Sequence, residues 1–395
     1  MPYDSTELRG RVAIVGVADA ASPTGSLGLG ARALEVQVIR EALDDAGLSL
    51  SDVDGVFTAG GPMSSLELAE YLGLQPRYTD STSTGGSSYQ IHVEHAAAAI
   101  AAGLCEVALS VYAATPRAPG ALRPGRRPMP GWDPGRPSVR AEWEAPYGLR
   151  MPIGGYALAA SRHMAVYDTT PEQLAAIAVS TRQWATSNPR ARHRDAIEIS
   201  DVLDSPYVCE PLHRLDCCLV TDGAGAVLLT RADRARDLRK PPVSVLGTGT
   251  CHTHASISAM PDLTVTGGAV SGPRAFSMAG IVPSDVDVLL SYDSFTITVL
   301  LSLEDLGFCK KGEGGPFVED GRLGPGGALP TNTNGGGLSF THPGQYGMFL
   351  LVEAVRQLRG ESTGQVEGAE IAVAHGSGGV LSAMSTVVLG TDAAR

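Results

Sequence analysis

Ala46-Gly-Leu-Ser-Leu-Ser-Asp-Val-Asp54 is the stretch that decides the fold, because it recurs as Ala279-Gly-Ile-Val-Pro-Ser-Asp-Val-Asp287. Six of the nine positions are identical without a gap. Each copy follows a helical pattern and precedes a short apolar run, Gly55-Val-Phe-Thr-Ala in the first case and Val288-Leu-Leu-Ser-Tyr in the second. Such an internal repeat indicates that the chain contains one structural unit twice.

The regions around the two copies repeat as well. A strand-like segment opens each half, at 11–17 and at 242–248, and a later helical stretch ends in glycine and leads into another apolar strand. Helices that alternate with short apolar strands indicate a layered α/β protein. We therefore predict two similar halves, 1–240 and 241–395, that meet near Arg239-Lys-Pro-Pro.

Composition limits the classes of protein to consider. The 395 residues are 43% hydrophobic, enough for a large interior, and carry a net charge of −12, which argues against nucleic-acid binding. The first residues are polar, and no apolar run approaches the ~18 residues of a membrane span. The six cysteines are scattered through a long chain that does not need disulfides. These features predict a cytoplasmic protein without a membrane span.

A metal site is one interpretation of Cys251-His252-Thr253-His254, with Cys217-Cys218 and His213 upstream. None of these residues belongs to a repeated C-x-x-C spacing of the kind that structural zinc sites use. Small buried thiols and a polar loop are the simpler interpretation. We predict no metal and no permanently bound cofactor.

One segment departs from the α/β pattern. Residues 115–150 contain eight prolines and seven arginines but only three acidic residues. Long loops in compact domains are often functional. We therefore keep two interpretations: the segment contacts an anionic group or a partner subunit, or it is a solvent-exposed loop. We place it at the start of a loop domain that occupies about 115–210 within the first half.

Five motifs along the chain resemble those of the thiolase superfamily, and the closest branch is that of the sterol-carrier-protein-type thiolases and their lipid-transfer-protein relatives. In order, they are Val12-Ala-Ile-Val-Gly-Val, Tyr156-Ala-Leu-Ala-Ala-Ser-Arg-His163, Leu215-Asp-Cys-Cys-Leu-Val-Thr-Asp-Gly-Ala-Gly-Ala-Val227, Asn334-Gly-Gly-Gly-Leu-Ser-Phe-Thr-His-Pro343 and His375-Gly-Ser-Gly-Gly379. The resemblance implies an α/β thiolase fold, a duplicated five-layered α-β-α-β-α architecture with a loop domain inserted in the first half. It also implies a coenzyme A thioester as substrate.

The sequence departs from the thiolase pattern where the nucleophile should be. Counting back without a gap from Ala99-Ile-Ala-Ala-Gly103 places the family's catalytic cysteine at Gly86, and no cysteine lies within fifteen residues of it. A serine, Ser83 or Ser87, is the alternative nucleophile, but a serine hydroxyl needs an activating base. The usual covalent thiolase route is therefore lost.

Two further departures introduce tyrosines. In Ser291-Tyr-Asp-Ser-Phe, Tyr292 replaces the histidine and Ser294 the cysteine of the related H-D-C-F motif. In His342-Pro-Gly-Gln-Tyr-Gly, Tyr346 stands where the family usually has a small residue. This combination resembles the cysteine-less thiolase-like aldolases of bacterial steroid side-chain degradation, which use two tyrosines.

That resemblance implies a function and a set of site residues. A retro-aldol reaction would cleave a steroid β-hydroxyacyl-CoA, of the 17-hydroxy-3-oxo-pregnene-20-carboxyl-CoA type, to a ring ketone and propionyl-CoA, and needs two proton-transfer groups but no cysteine. The implied roles are catalysis by Tyr292, Tyr346 and His342, thioester binding by Gly86, Gly376 and Gly378, and binding of the CoA phosphates by Arg123, Arg126 and Arg127.

Partners and alternatives follow from the same resemblance. It implies a homodimer and an OB-fold partner with a zinc ribbon. Because tyrosine has an ordinary pKa near 10, a tyrosine base would need help from a neighbour such as His342, whereas a tyrosine acid would not. A non-catalytic acyl-CoA or lipid-binding protein and a serine- or partner-assisted acyltransferase remain the alternatives.

Overall fold

The structure is a computed structural model that describes residues 8–61, 63–118 and 139–394. The strands are β1 (Val12–Ala20), β2 (Gly55–Thr58), β3 (Tyr78–Asp80), β4 (Val107–Ala114), β5 (Tyr207–Cys209), β6 (Leu212–His213), β7 (Gly223–Arg231), β8 (Val243–His252), β9 (Val288–Ser291), β10 (Ile371–Gly378) and β11 (Ala383–Gly390). The helices are α1 (Ala31–Ala46), α2 (Ser64–Leu72), α3 (Ser88–Ala101), α4 (Val139–Trp143), α5 (Ile153–Tyr167), α6 (Pro171–Thr186), α7 (Ile199–Asp204), α8 (Ala232–Ala235), α9 (Gly268–Ala279), α10 (Thr296–Asp305), α11 (Gly314–Phe317) and α12 (Gly347–Arg359). Among these described helices, none is long and apolar enough to cross a membrane.

Strand order confirms that one unit occurs twice. The first half runs β3-β2-β4-β7-β1 and the second runs β9-β10-β11-β8, and the two halves join where β1 pairs with β8 at only two positions. In the first half β2 is parallel to both of its neighbours, β3 and β4, and in the second half β9 is parallel to β10. The remaining pairs of the nine-stranded sheet are antiparallel. A parallel bridge from Leu289 to Thr331 stands where β2 pairs with β3 in the first half.

Helices cover both halves and fill the space between them. The middle layer is α3 and α12, which pack against each other and against strands of both halves. Outside, α1 covers β1, β4 and β7, while α9 covers β8 and β11. Three separate clusters of buried apolar side chains occupy the spaces between these layers. The predicted five-layered α-β-α-β-α architecture is confirmed.

The repeated nonapeptide has the same structural task in each half. Gly47 and Gly280 end α1 and α9 with φ near +70°, a conformation that suits glycine. Asp54 then accepts hydrogen bonds from two successive backbone N–H groups at the start of β4, at 2.8 and 2.9 Å. Asp287 accepts the equivalent pair at the start of β10, both at 2.9 Å. The repeated aspartate therefore fixes the next strand of its half.

Between β4 and β7 the chain forms α4 to α7 and the β5–β6 hairpin. Side chains of α5 and α6 belong to the same apolar cluster as α9 and α10, so these elements lie on the outer side of the second half. The division at 1–240 and 241–395 and the loop-domain limits of 115–210 stay predictions. Arg123, Arg126 and Arg127 lie outside the described residues.

Candidate active site

A cavity of about 770 Å³ lies where loops of both halves meet, a volume within the range of small-molecule sites. The end of β9, the loop before α12, the loop before α3 and helix α5 all contribute to its wall. Its polar and aromatic lining includes Ser83, Tyr112, Tyr156, Cys218, Tyr292, Ser294, Phe295, His342, Gln345 and Ser377. Gly85, Gly86 and Gly379 also line it.

Tyr292 and His342 form a hydrogen-bonded pair in this cavity. The Tyr292 hydroxyl is 2.9 Å from His342 Nε2, and it accepts a hydrogen bond of 3.1 Å from the backbone N–H of Tyr346. Tyr292 follows β9 directly, and its own N–H bonds to the carbonyl of His375 on the neighbouring strand β10. The phenol is therefore fixed from both ends.

His342 is held by a tightly bonded turn that precedes it. The carboxylate of Asp293 accepts the N–H groups of Gly337 and Leu338, at 2.7 and 3.1 Å, in a one-turn π-helix over Gly336–Phe340. Thr221 Oγ1 accepts the N–H of His342 at 2.8 Å. The residue next to Tyr292 therefore anchors the segment that carries the histidine.

Burial sets the protonation states of the pair. Desolvation lowers the pKa of His342 to about 4, although backbone carbonyls of His342 and Leu219 oppose the change. Desolvation also raises the pKa of Tyr292 well above 10, helped by nearby Cys218. At neutral pH the imidazole is uncharged and the phenol keeps its proton. We assign that proton to a hydrogen bond from Tyr292 to His342 Nε2.

Gly86 is adjacent to Tyr292, and the two positions compete for space. A β-carbon built on Gly86 would overlap Tyr292 Cε2 and the backbone oxygen of Ser377, and would lie 2.7 Å from Tyr292 Cζ. Carbon atoms in contact rest about 3.5–4.0 Å apart. The Tyr292 ring therefore occupies the volume that a cysteine side chain at position 86 would need.

The glycines after His375 have different environments. A β-carbon on Gly376 would meet the Gln90 side chain of α3, and one on Gly378 would overlap the backbone oxygen of Thr84. These two glycines therefore allow β10 to approach α3 and the loop before it. Gly379 lines the cavity instead. Within the described residues, neither the N–H of Gly86 nor that of Gly379 has an acceptor in the protein.

Tyr346 is close to the pair but directs its hydroxyl elsewhere. Its ring is fully buried and stacks on Phe349, with ring centroids 5.3 Å apart. Its hydroxyl donates to Asn334 Oδ1 at 2.9 Å, and the side chain is not part of the cavity wall. It is the backbone N–H of Tyr346, bonded to the Tyr292 hydroxyl, that connects this residue to the site.

The candidate nucleophiles are not activated. Ser87 is buried and bonds to Thr84 Oγ1 at 2.9 Å, and Ser83 lines the cavity. Among the described residues, neither hydroxyl bonds to a histidine or a carboxylate. The fold does bring Cys218, distant in sequence, into the cavity, but burial raises the pKa of its thiol, which therefore stays protonated.

Tyr156 and Tyr112 line the cavity although no sequence pattern assigned them a role. Tyr112 accepts the N–H of Gln345 at 3.1 Å and donates to the carbonyl of Pro343 at 2.8 Å, which fixes the loop after His342. Tyr156 projects from α5 into the cavity wall. Tyr156 belongs to the sequence motif that forms α5, but its place in the cavity wall depends on the packing of α5 against the second half.

The loop at Cys251–His254, where a metal site was one interpretation, is organised by other contacts. His254 Nε2 bonds to the carbonyl of Val380 at 2.9 Å, and Nδ1 bonds to the Thr253 hydroxyl at 2.8 Å. Over 8–61, 63–118 and 139–394, no group of three His, Cys, Asp or Glu side chains is arranged to hold a metal ion.

Comparison with known proteins gives this site its context. The sequence profile described as Thiolase C-terminal domain-like matches residues 249–391. The steroid side-chain-cleaving aldolase of Thermomonospora curvata is 34% identical over 348 residues, which are 84% of this chain and 86% of that protein. The chain belongs to the thiolase-like family. The predicted resemblance is confirmed.

Other members of the family have different names. The 17-hydroxy-3-oxo-4-pregnene-20-carboxyl-CoA lyase of Mycobacterium tuberculosis is 34% identical to this thiolase-like protein, over 94% of this chain and 97% of the lyase. An acetyl-CoA acetyltransferase of Methanothermobacter thermautotrophicus is also 34% identical, over 86% and 88%. Among solved structures, the Ltp2-ChsH2(DUF35) aldolase superposes with a TM-score of 0.87 at 32% identity, over 98% of this chain and 99% of that one. The names of the aldolase and lyase relatives and of the superposed aldolase agree with the predicted carbon–carbon lyase function.

Proposed function

We propose that this protein is a retro-aldolase, a carbon–carbon lyase that cleaves a steroid β-hydroxyacyl-CoA to a ring ketone and propionyl-CoA. The observation that carries the proposal is that the Tyr292 ring, hydrogen-bonded to His342, fills the space beside Gly86 where a thiolase nucleophile would stand. An acyl-enzyme has no attachment point there, whereas a retro-aldol reaction needs only proton transfers. The aldolase and lyase relatives support the same assignment.

The geometry supports the following first step. The Tyr292 oxygen takes the proton of the β-hydroxyl while its own proton passes to His342 Nε2, 2.9 Å away, so that no free phenolate has to form beforehand. The bond between the α- and β-carbons breaks, the β-carbon becomes the ketone, and the electron pair forms a thioester enolate. A general base contributes typically ~10²–10⁴-fold to such a rate.

The enolate oxygen needs hydrogen-bond donors. The backbone N–H groups of Gly86 and Gly379 are the donors that we propose, because both residues line the cavity and neither group has an acceptor in the described protein. A buried oxyanion-hole donor is worth about 3–4 kcal/mol in the transition state. We infer a structural role for Gly376 and Gly378 and a positioning role for Tyr346, through its N–H on Tyr292.

The assembly and location belong to the same proposal. The DUF35 component of the Ltp2-ChsH2(DUF35) aldolase structure supports a DUF35-type partner, which we expect to have an OB fold and a zinc ribbon, alongside a homodimer of this chain. We further propose that the CoA phosphates bind Arg123, Arg126 and Arg127. All six cysteines are free thiols, which supports a reducing compartment such as the cytoplasm.

The test is to co-express the chain with the DUF35-type protein of its own organism and supply the steroid β-hydroxyacyl-CoA. Propionyl-CoA should appear by mass spectrometry, and Tyr292→Phe should reduce its rate by ~10²–10⁴-fold. Tyr207→Phe, an exposed tyrosine of β5, is the matched control. Tight binding of the CoA ester without any product would favour a non-catalytic binding protein, and a covalent acyl adduct would favour an acyltransferase.

A further inference from the structure

Tyr156 brings a second phenol to the cavity from a different part of the chain than Tyr292. It lies on α5, it is only 3% exposed, and its ring packs against Phe295 in a tilted arrangement with centroids 4.4 Å apart. Its hydroxyl donates to the backbone oxygen of Gly379 at 3.2 Å. This hydroxyl is therefore anchored to the segment that carries one of the proposed oxyanion donors.

A cluster of hydroxyl groups surrounds the Tyr156 phenol. Ser294 and Ser377 lie close enough to favour its ionised form, but burial is the larger effect and raises the pKa of Tyr156 to about 12. Ser377 lines the cavity, is 3% exposed, and its Oγ has no well-aligned hydrogen-bond partner. The hydroxyls of Ser294 and Ser377 therefore make this part of the cavity wall polar beside the Tyr156 phenol.

The proposed reaction leaves one proton transfer without a residue. Tyr292 and His342 together hold the proton of the β-hydroxyl after the bond has broken, whereas the α-carbon of the enolate still needs a proton. Tyr346 cannot supply this proton, because its hydroxyl donates to Asn334 and its side chain is not part of the cavity wall. Tyr156 is a protonated phenol in that wall, beside Gly379.

We propose that Tyr156 is the acid that protonates the α-carbon of the enolate. This inference rests on the proposed function. In the step, the Tyr156 O–H bond breaks, a C–H bond forms at the α-carbon, and the enolate electron pair returns to the thioester carbonyl. Tyr156 then regains a proton from water, and His342 returns its proton to Tyr292 as that residue releases one to water.

Stereochemistry in heavy water tests the assignment. A single enzymatic acid delivers deuterium to one face of the enolate, so wild-type protein in D₂O should give propionyl-CoA with one deuterium at the α-carbon in a single configuration. Tyr156→Phe keeps the ring on Phe295 and removes only the hydroxyl. Its turnover should fall about 100-fold, and water should then deuterate both faces, so that the residual product contains both configurations.

Tyr167→Phe is the matched control, because this tyrosine lies on the same helix with its ring against His163, away from the cavity. It should keep the wild-type rate and the single configuration. Three results would overturn the assignment: a single configuration retained by Tyr156→Phe, both configurations from wild type, or a folded Tyr156→Phe without detectable ketone or propionyl-CoA. Absence of cleavage by wild type would instead contradict the proposed retro-aldolase function itself.

Discussion

Replacing Gly86 by alanine adds one carbon atom at a crowded point of the site. The new β-carbon would overlap Tyr292 Cε2 and lie 2.7 Å from Cζ, so the ring has to retreat by about 1.5 Å for Cε2 to reach a normal contact of ~3.5 Å. That movement takes the hydroxyl out of its 2.9 Å hydrogen bond to His342. Misplacing a catalytic group by about 1 Å costs on the order of 10²-fold in rate. Overpacking also costs ~1–3 kcal/mol of stability.

The assay is steady-state cleavage of the steroid CoA ester, together with denaturant unfolding of each variant. We expect kcat/KM of Gly86→Ala to fall about 100-fold. Gly30→Ala is the control, because Gly30 has an ordinary extended backbone with φ −76° and no atom lies within 4 Å of the methyl group that alanine would add there. Its activity should stay at the wild-type level, which separates a local clash from a general effect of glycine replacement.

A double-mutant cycle decides whether the Tyr292 ring is responsible for the effect of Gly86→Ala. In a Tyr292→Ala background the overlap with the ring disappears and only the contact with the Ser377 backbone oxygen remains. The stability cost of Gly86→Ala should therefore be smaller there than in wild type. An equal cost in both backgrounds, or Gly86→Ala at full activity, would refute the reasoning that position 86 and Tyr292 share one volume.

Three further predictions concern activity, stability and pH. Tyr346→Phe should keep most of the cleavage activity and lose ~1 kcal/mol of unfolding free energy, since it removes one hydrogen bond to Asn334 outside the cavity; loss of activity with normal stability would contradict this. Asp287→Ala should lower the unfolding free energy by ~2–3 kcal/mol in denaturant titrations, because two backbone N–H groups lose a charged acceptor. Burial lowers the pKa of His92 and His375 to about 4, so each histidine binds a proton on unfolding that the folded state excludes. The unfolding free energy should therefore decrease as the pH falls from 6.5 towards 4, by about 2 kcal/mol per histidine at pH 5, and a value that stays constant between pH 7 and 5 would contradict this.

The fold could be predicted from the sequence because the duplication is visible in short local motifs. Gly47 and Gly280 end helices with the same backbone geometry, and Asp54 and Asp287 fix equivalent strands. These contacts depend on short-range chemistry that repeats in both halves. The layer order then follows from alternating helices and strands.

The site was predicted only where neighbours in sequence are also neighbours in space. Tyr292 was found because one motif differs from its family pattern at that position. The direction of the Tyr346 side chain was not readable, because it depends on Asn334 and on the ring of Phe349. Tyr156 and Cys218 reach the cavity through packing of segments that are far apart in the chain, which no local pattern records.

The loss of the nucleophile and the gain of the tyrosine are one structural change. The cavity beside β10 holds either a side chain at position 86 or the Tyr292 ring, because the built β-carbon and the ring occupy the same space. With glycine at 86, the ring reaches His342 and its hydroxyl gains a hydrogen bond from the backbone of Tyr346. A glycine in place of the cysteine side chain therefore does more than remove the nucleophile. It admits the phenol–imidazole pair to which we assign the proton transfer, at the point where a thiolate would have attacked.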